Sequence, residues 1–389
     1  MKKQLLFLFG SGVSFPSKAP DLEKITKSLV GDDWVYNRFQ YKLKKDLPNC
    51  DDKNDGRETR DYIKYIFERI NPILICNDNR EANYEDCASF IRKIRTNKTT
   101  FDPAFFSEHQ RIKHETYHIY KNYIKNSSYS NSKYYPLYPI SRNALDLIQW
   151  AVYNSLKQID YSSGLEPIAK LYKNEYKIDI CTLNHDLVLE QFLDSKNIPY
   201  SDGFIKSGDF YEFANKWENR KSNCVNIYKL HGSINYFEFH DETGSENKPI
   251  KFDGDPYHLF EEFDQLEILP SFLSGNLTKE MDYLFGFSLK MVHKFIDLLN
   301  QYDKIIISGY GWGDRGIDLI LLDWITFNKK HPKILVLHRN KKDNLKRKAF
   351  WNSRYQSFLD KGILFHEEKW FGEANFEELF KKFPSFFDS

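Results

Sequence analysis

Four short clusters along the 389-residue chain hold the side chains best placed to do chemistry. His231 lies in Leu230-His231-Gly232-Ser233-Ile234-Asn235. An imidazole titrates close to neutral pH, so it can take a proton from a hydroxyl or a water. Asn184 and Asp186 sit together in Thr182-Leu183-Asn184-His185-Asp186, an amide and a carboxylate at the end of an apolar run. The other two clusters are glycine-rich turns, Gly10-Ser11-Gly12-Val13-Ser14 and Gly309-Tyr310-Gly311-Trp312-Gly313-Asp314. Without a Cβ, backbone N–H groups can approach a phosphate at a strand-to-helix turn. The first turn lacks the third glycine of a dehydrogenase fingerprint, because Phe15 stands there. Taken singly, each cluster also has a structural reading: a glycine turn, an Asn/Asp turn ending a strand, or a packed histidine.

The elements needed to hold these clusters are legible. Leu5–Phe9 is a continuous apolar run ending in Gly-Ser-Gly, which predicts a strand buried on both faces. Asp21–Val30 predicts a helix with acidic residues in its first turn. Ile178–Thr182, Val225–Leu230, Lys304–Ser308 and Ile334–Leu337 read as strands, with Ile234–Phe239 continuing after a turn. Helices are expected at Met281–Tyr302 and Arg315–Phe327, then a helix–strand–helix set from Asn344 to Phe383. Strands alternating with helices predict an α/β fold, a doubly wound, parallel, Rossmann-like sheet. Between Gly31 and Ser162 the chain is charged, aromatic and poor in strand-like runs. Asp61–Ile70, Tyr84–Ile94 and Asn143–Leu156 carry helical periodicity, and the Ser/Asn-rich stretch Asn126–Lys133 reads as a loop. The expected organisation is a Rossmann-like domain of 1–30 plus 163–389, interrupted by a mostly helical insertion at 31–162.

Bulk composition narrows the function classes. Lys plus Arg is 56 and Asp plus Glu is 55, so global charge does not argue for nucleic acid. Cys50, Cys76, Cys87, Cys181 and Cys224 form no CxxC pair, so no zinc ribbon is expected and reduced thiols in a cytoplasmic protein are. The apolar run before Gly10 is too short for a secretory leader, and no uncharged run is long enough for a membrane span.

In order, the clusters resemble sirtuin motifs. Gly10, Gly12, Val13, Ser14, Ser17, Pro20 and Asp21 fit the signature GAG-[IV]-S-x-x-S-G-I-P-D without a gap, although Leu22-Glu23 replaces its following Phe-Arg. Thr182–Asp186 is similar to the TQNxD element, Leu230–Ser233 to the catalytic LHGS, and Gly309–Asp314 to a glycine loop of bacterial sirtuin-like defence proteins. The resemblance implies an NAD-binding core in which His231 acts as base and Asn184 positions water or holds the ribose. It implies that Asp186 receives the nicotinamide amide and that Gly10, Ser11, Gly12, Ser14, Asp21, Gly309 and Gly311 contact the cofactor. Asn340, after a late strand, matches an adenosine-ribose contact. The long insertion and the missing zinc cysteines look like bacterial effectors that degrade NAD during phage infection. The implied activity is hydrolysis of NAD⁺, with NAD as substrate, a homo-oligomeric state and control by a regulatory or ATPase partner.

Three other readings are weighed. An NAD-dependent deacylase would need an acyl-lysine channel. A nucleic-acid-associated subunit, working with an ATPase or Argonaute-like partner, would use the six Lys/Arg of Arg339–Lys348. A sensor would bind NAD or ADP-ribose without needing both Asn184 and His231. His114-Glu115-Thr116-Tyr117-His118 fits HExxH, but its polar surroundings favour solvent-facing histidines over a zinc site.

Overall fold

The computed structural model describes residues 3–32, 34–37, 40–46, 56–78, 80–96, 111, 112, 114–116, 137–217, 224–239, 248–256, 258, 259, 269–273, 286–328, 330–339 and 349–387. The described strands are β1 (Gln4–Phe9), β2 (Trp34–Asn37), β3 (Gln40–Leu43), β4 (Lys177–Thr182), β5 (Tyr200–Ser201), β6 (Phe204–Ser207), β7 (Phe210–Phe213), β8 (Val225–Lys229), β9 (Gly232–Phe239), β10 (Lys248–Lys251), β11 (Leu269–Phe272), β12 (Lys304–Ser308), β13 (Lys333–Leu337) and β14 (Leu364–Glu367). Seven of them form one sheet in the order β14-β13-β12-β1-β4-β8-β5. Every pairing in it is parallel. The expected α/β class and parallel sheet are therefore present.

Strand alternation divides this sheet between two cores. Leu5, Phe7 and Phe9 of β1, with Ile178 and Ile180 of β4, point into one apolar cluster. Leu6 and Leu8, with Cys181, Ile305 and Ile307, point into the other. Both faces must be covered, which is why these strands read as unbroken apolar runs. Helices Gly286–Gln301 and Arg315–Phe327 cover the second face through Phe295, Leu298, Ile317 and Leu321. On the first face, Phe371 and Phe376 lie against Phe7 at 5.8 and 6.0 Å, and Phe371 lies 4.8 Å from Phe9. Helices Arg57–Asp78, Tyr84–Thr96 and Tyr138–Leu156 place Ile63, Ile66, Phe90, Ile91, Leu147, Ile148 and Ala151 in the same cluster as Phe7 and Phe9.

The stretch expected to be mostly helical also holds a hairpin: β2 and β3 pair antiparallel, with Trp34 and Tyr41 buried. One expectation needs correction: Ile234–Phe239 does not continue the parallel sheet. It belongs to β9, in a second, antiparallel sheet of order β11-β9-β10-β7-β6. The hand-over follows from Gly232, which takes a left-handed φ of 77° and turns the chain out of β8. The helix expected from Met281 is described from Gly286 onward, and Asn126–Lys133 lies outside the described residues.

Because helix Tyr138–Leu156 and β1 belong to one apolar cluster, Ile148→Ala should destabilise the whole molecule by about 2–5 kcal/mol in a single unfolding step. Urea denaturation followed by circular dichroism checks this. Two separate transitions, with only one of them shifted, would show that 31–162 folds as its own unit.

Candidate functional site

The strands that lead into the four clusters, β12, β1, β4 and β8, are consecutive across the parallel sheet. All four clusters therefore emerge at its carboxyl end, around the point where β1 separates the two directions of winding. Open α/β sheets bind ligands at that switch point.

The two glycine turns meet there. Gly10 N–H donates to the Ser308 carbonyl and Gly12 N–H to the Gly309 carbonyl, both at 3.0 Å. A Cβ on Gly10 would lie 2.6 Å from the Gly309 oxygen, one on Gly12 2.7 Å from Gly309 Cα, and one on Gly309 2.5 Å from the Val13 nitrogen. Gly309 also adopts φ 66°. These three glycines are thus required by each other before any ligand is considered. Val13 N–H and Ser14 N–H are taken up by Gly10 and Ser11 carbonyls. Ser11 and Gly311 face solvent at the rim, and a Cβ on Gly311 would meet nothing within 4 Å among the described residues.

Asn184 is anchored from both sides of the sheet's end. Its N–H donates to Thr182 Oγ1 at 3.1 Å, and its side-chain amide donates to Ser14 Oγ at 3.0 Å. Its Oδ1 is buried without a hydrogen-bond partner among the described residues. A buried amide oxygen left this way costs about 1–3 kcal/mol unless a donor arrives. Ser14, Thr182, Asn184, Asp186 and Lys229 line a narrow cleft whose apolar side is Phe9, Val13 and Leu165. Asp186 Oδ1 accepts from the Val188 N–H at 3.1 Å, opening helix Val188–Ser195.

His231 occupies the turn between β8 and β9. Its Nε2 lies 2.8 Å from Asp314 Oδ2, and the two side chains are only 3% and 4% exposed. The other Asp314 oxygen accepts from Ile317 N–H at 3.1 Å and caps helix Arg315–Phe327. Tyr310 holds the same loop by donating to Asp318 Oδ1 at 2.8 Å. Gly232 is forced as well, since a Cβ there would sit 2.2 Å from the Ser271 carbonyl. The His185 ring lies 6.0 Å from that of His231 and 4.7 Å from Phe272.

The structure therefore brings together Gly10, Gly12, Ser14, Asn184, Asp186, His231 and Gly309, with Ser11 and Gly311 at the rim. Asp21 is placed apart from the cleft lining, where its Oδ1 accepts from Lys24 N–H at 2.8 Å and caps helix Leu22–Gly31. Asn340 and His118 lie outside the described residues, as does Arg339–Lys348 beyond Arg339 itself. His114 is exposed, and Glu115 accepts from Tyr65 and pairs with Arg69 at 3.0 Å. Asp314 and Lys229 were not singled out as site residues from the sequence. Asp314 had a signal, an Asp directly before a helix, but its tie to His231 is long-range. Among the described residues no cluster of His, Cys, Asp and Glu is arranged to hold a metal, and no helix is long and apolar enough to cross a membrane.

A family model described as SIR2-like domain matches residues 179–359, just under half of the chain. That span contains Asn184, Asp186, His231, Gly309 and Asp314. No match is found among curated proteins. Among solved structures, Sir2Tm bound to a propionylated peptide aligns over 99% of this chain and 94% of its own, at 10% identity and a TM-score of 0.37. Sir2 with the inhibitor EX-527, 2'-O-acetyl-ADP-ribose and a deacetylated p53 peptide aligns over 99% and 95%, at 11% identity and a TM-score of 0.37. A Sir2–p53 peptide–NAD⁺ complex aligns over 99% and 94%, at 11% identity and a TM-score of 0.34. At these values the site is read from its own geometry.

Two predictions follow from the packing. Gly309→Ala must strain φ and push backbone away, so it should cost at least about 1–3 kcal/mol, whereas Gly311→Ala should stay within about 0.5 kcal/mol. Chemical denaturation of both variants tests this, and equal costs would contradict the loop packing. The second concerns Glu190, whose carboxyl burial pushes up from its ordinary value of 4.5 while Lys229 pulls it back. A raised carboxyl favours the fold below its ordinary value and loses that contribution as pH climbs through the folded value. The stability of wild type minus that of Glu190→Gln should therefore shrink as pH rises from 4.5. A difference that grows over that range would mean that Lys229 outweighs burial.

Proposed function

We propose that this protein hydrolyses NAD⁺ to nicotinamide and ADP-ribose. One observation carries the proposal: Asn184, whose buried Oδ1 has no hydrogen-bond partner among the described residues, lines the cleft at the same sheet end where His231 is buried against Asp314. A buried acceptor in a cleft calls for a donor, either a water or a sugar hydroxyl. A histidine oriented by a carboxylate is suited to take a proton. The match to a SIR2-like domain over 179–359 supports an NAD-related activity.

In the reaction, the bond between nicotinamide nitrogen and ribose C1′ breaks. Its electron pair leaves with the ring nitrogen and neutralises the pyridinium charge. Water held by Asn184 adds to C1′, and its proton passes to His231. Asp186 offers its carboxylate to the nicotinamide amide. Stabilisation of the oxocarbenium-like ribose is electrostatic, from dipoles already in place. The interlocked turns leave Ser11 and Gly311 at the rim as the surface for pyrophosphate and ribose, because the Gly10 and Gly12 N–H groups are committed to the Ser308 and Gly309 carbonyls. Asp21, a helix cap here, and Asn340 complete the set that the motif resemblance assigns to the cofactor.

The same resemblance supports a cytoplasmic, homo-oligomeric NAD-depleting effector of antiphage defence under the control of a partner protein, with 31–162 as the helix-rich unit that carries those contacts.

The test is NAD⁺ consumption by purified protein, with nicotinamide and ADP-ribose separated by chromatography. His231→Ala and Asn184→Ala are each expected to lower the rate by about 10²–10⁴-fold. Asp314→Asn keeps the helix cap and should lower it less than His231→Ala. Turnover that survives His231→Ala would overturn the mechanism, and nicotinamide release only with an acyl peptide present would make the protein a deacylase.

A further inference from the structure

Lys229 ends β8 two residues before His231, and its side chain is 1% exposed. An ammonium has three N–H donors and no acceptor. Three acceptors surround this one: the Asp186 carbonyl, Ser233 Oγ at 3.1 Å and Glu190 Oε1 at 2.9 Å. Each comes from a different segment. Asp186 belongs to the loop that carries Asn184, Ser233 follows His231 by two residues, and Glu190 lies in helix Val188–Ser195. Ser233 Oγ passes the link on, donating to the His185 carbonyl at 3.3 Å, which also accepts Ile234 N–H at 3.0 Å. The loop of Asn184 and the turn of His231 are thus joined through one buried cation that also lines the cleft.

We infer that Lys229 is a positioning residue, which sets the spacing between the Asn184 amide and the His231 imidazole by clamping their two segments together. Glu190 is its counter-charge, without which a buried ammonium would be too costly to hold. The position of Lys229 gives it this role: it stands at the end of the strand that delivers His231, and its ammonium reaches the backbone two residues beyond Asn184. A pair that served stability alone would have no need to bond that carbonyl.

The kinetic arm of the test rests on the NAD⁺ hydrolysis proposed above; the spectroscopic arm does not. Removing one partner of a buried pair strands a charge, whereas removing both often restores the fold. The informative variant is therefore Lys229→Met with Glu190→Gln. It should melt close to wild type, lose about a hundredfold in kcat through misplacement of the reacting groups, and leave KM for NAD⁺ little changed. Its His231 and His185 ring resonances should move in NMR spectra, while that of His293, exposed on helix Gly286–Gln301, should not. Lys229→Arg keeps the charge opposite Glu190 but not the three-way geometry. It should show the same loss of kcat, and it decides the matter if the double variant does not fold. As a control, Lys251→Met with Asp202→Asn removes another buried pair, 2.6 Å apart, and should leave kcat unchanged. Folded Lys229 variants with wild-type kcat and unmoved His231 resonances would overturn the proposal, as would an equal loss in the control. If wild type releases no nicotinamide, the hydrolysis reading falls and the ring resonances alone decide the role of Lys229.

Discussion

Everything at the carboxyl end of the parallel sheet depends on how closely two backbones approach. The turn after β1 and the turn after β12 press together so tightly that neither Gly10, Gly12 nor Gly309 has space for a methyl group. This contact locks the two turns together beside the switch point, and it fixes the start of the loop that runs to Asp314. Asp314 in turn has two duties, one oxygen on its own helix and one on His231. A glycine contact, a helix cap and a histidine orientation therefore form one chain of dependence. Loosening the first would move the last.

The second constraint is the route of the chain through His231. β8 belongs to the parallel sheet and β9 to the antiparallel one, with only Leu230 and His231 between them. The imidazole thus sits on a hinge point between two layers, held by Gly232 at one side and Asp314 at the other. Leu273 N–H bonds the His231 carbonyl at 2.8 Å, so the second sheet also grips the backbone of this turn. Placing the residue on such a crossing gives it rigid support from both layers, which a long loop would not provide.

Much of the fold was legible because local pattern and long-range packing agree. Leu5–Phe9, Ile178–Thr182 and Lys304–Ser308 are apolar throughout because both faces of the sheet are covered. The helix boundaries at Asp21 and Asp314 follow from side chains that cap their own backbone. The antiparallel sheet was missed although part of its signal is present. Gly208-Asp209 between Phe204–Ser207 and Phe210–Phe213 is a two-residue hairpin turn, with Gly208 at φ 61°. The Trp34–Leu43 hairpin was hidden by its surroundings, a charged and aromatic stretch whose helices dominate the periodicity. For the site, the motif residues could be named but their ties could not. Ser14 with Asn184, His231 with Asp314, and Lys229 with the Asp186 carbonyl join residues far apart in the chain, and no local spacing encodes them.

The position of β1 has a consequence for how the molecule comes to be. Its two neighbours are β4, where Gln4 pairs with Lys177, and β12, where Phe7 pairs with Ile306. The central strand of the sheet is thus synthesised well before either partner. Folding must wait for contacts of very large sequence separation, which slows it and leaves an apolar strand uncovered meanwhile. The rings that lie against its Phe7 and Phe9 come from Phe371 and Phe376, later in the chain still. The apolar face of the strand made first is therefore completed only once residues 371–376 have been made, and the sheet cannot close over it before then.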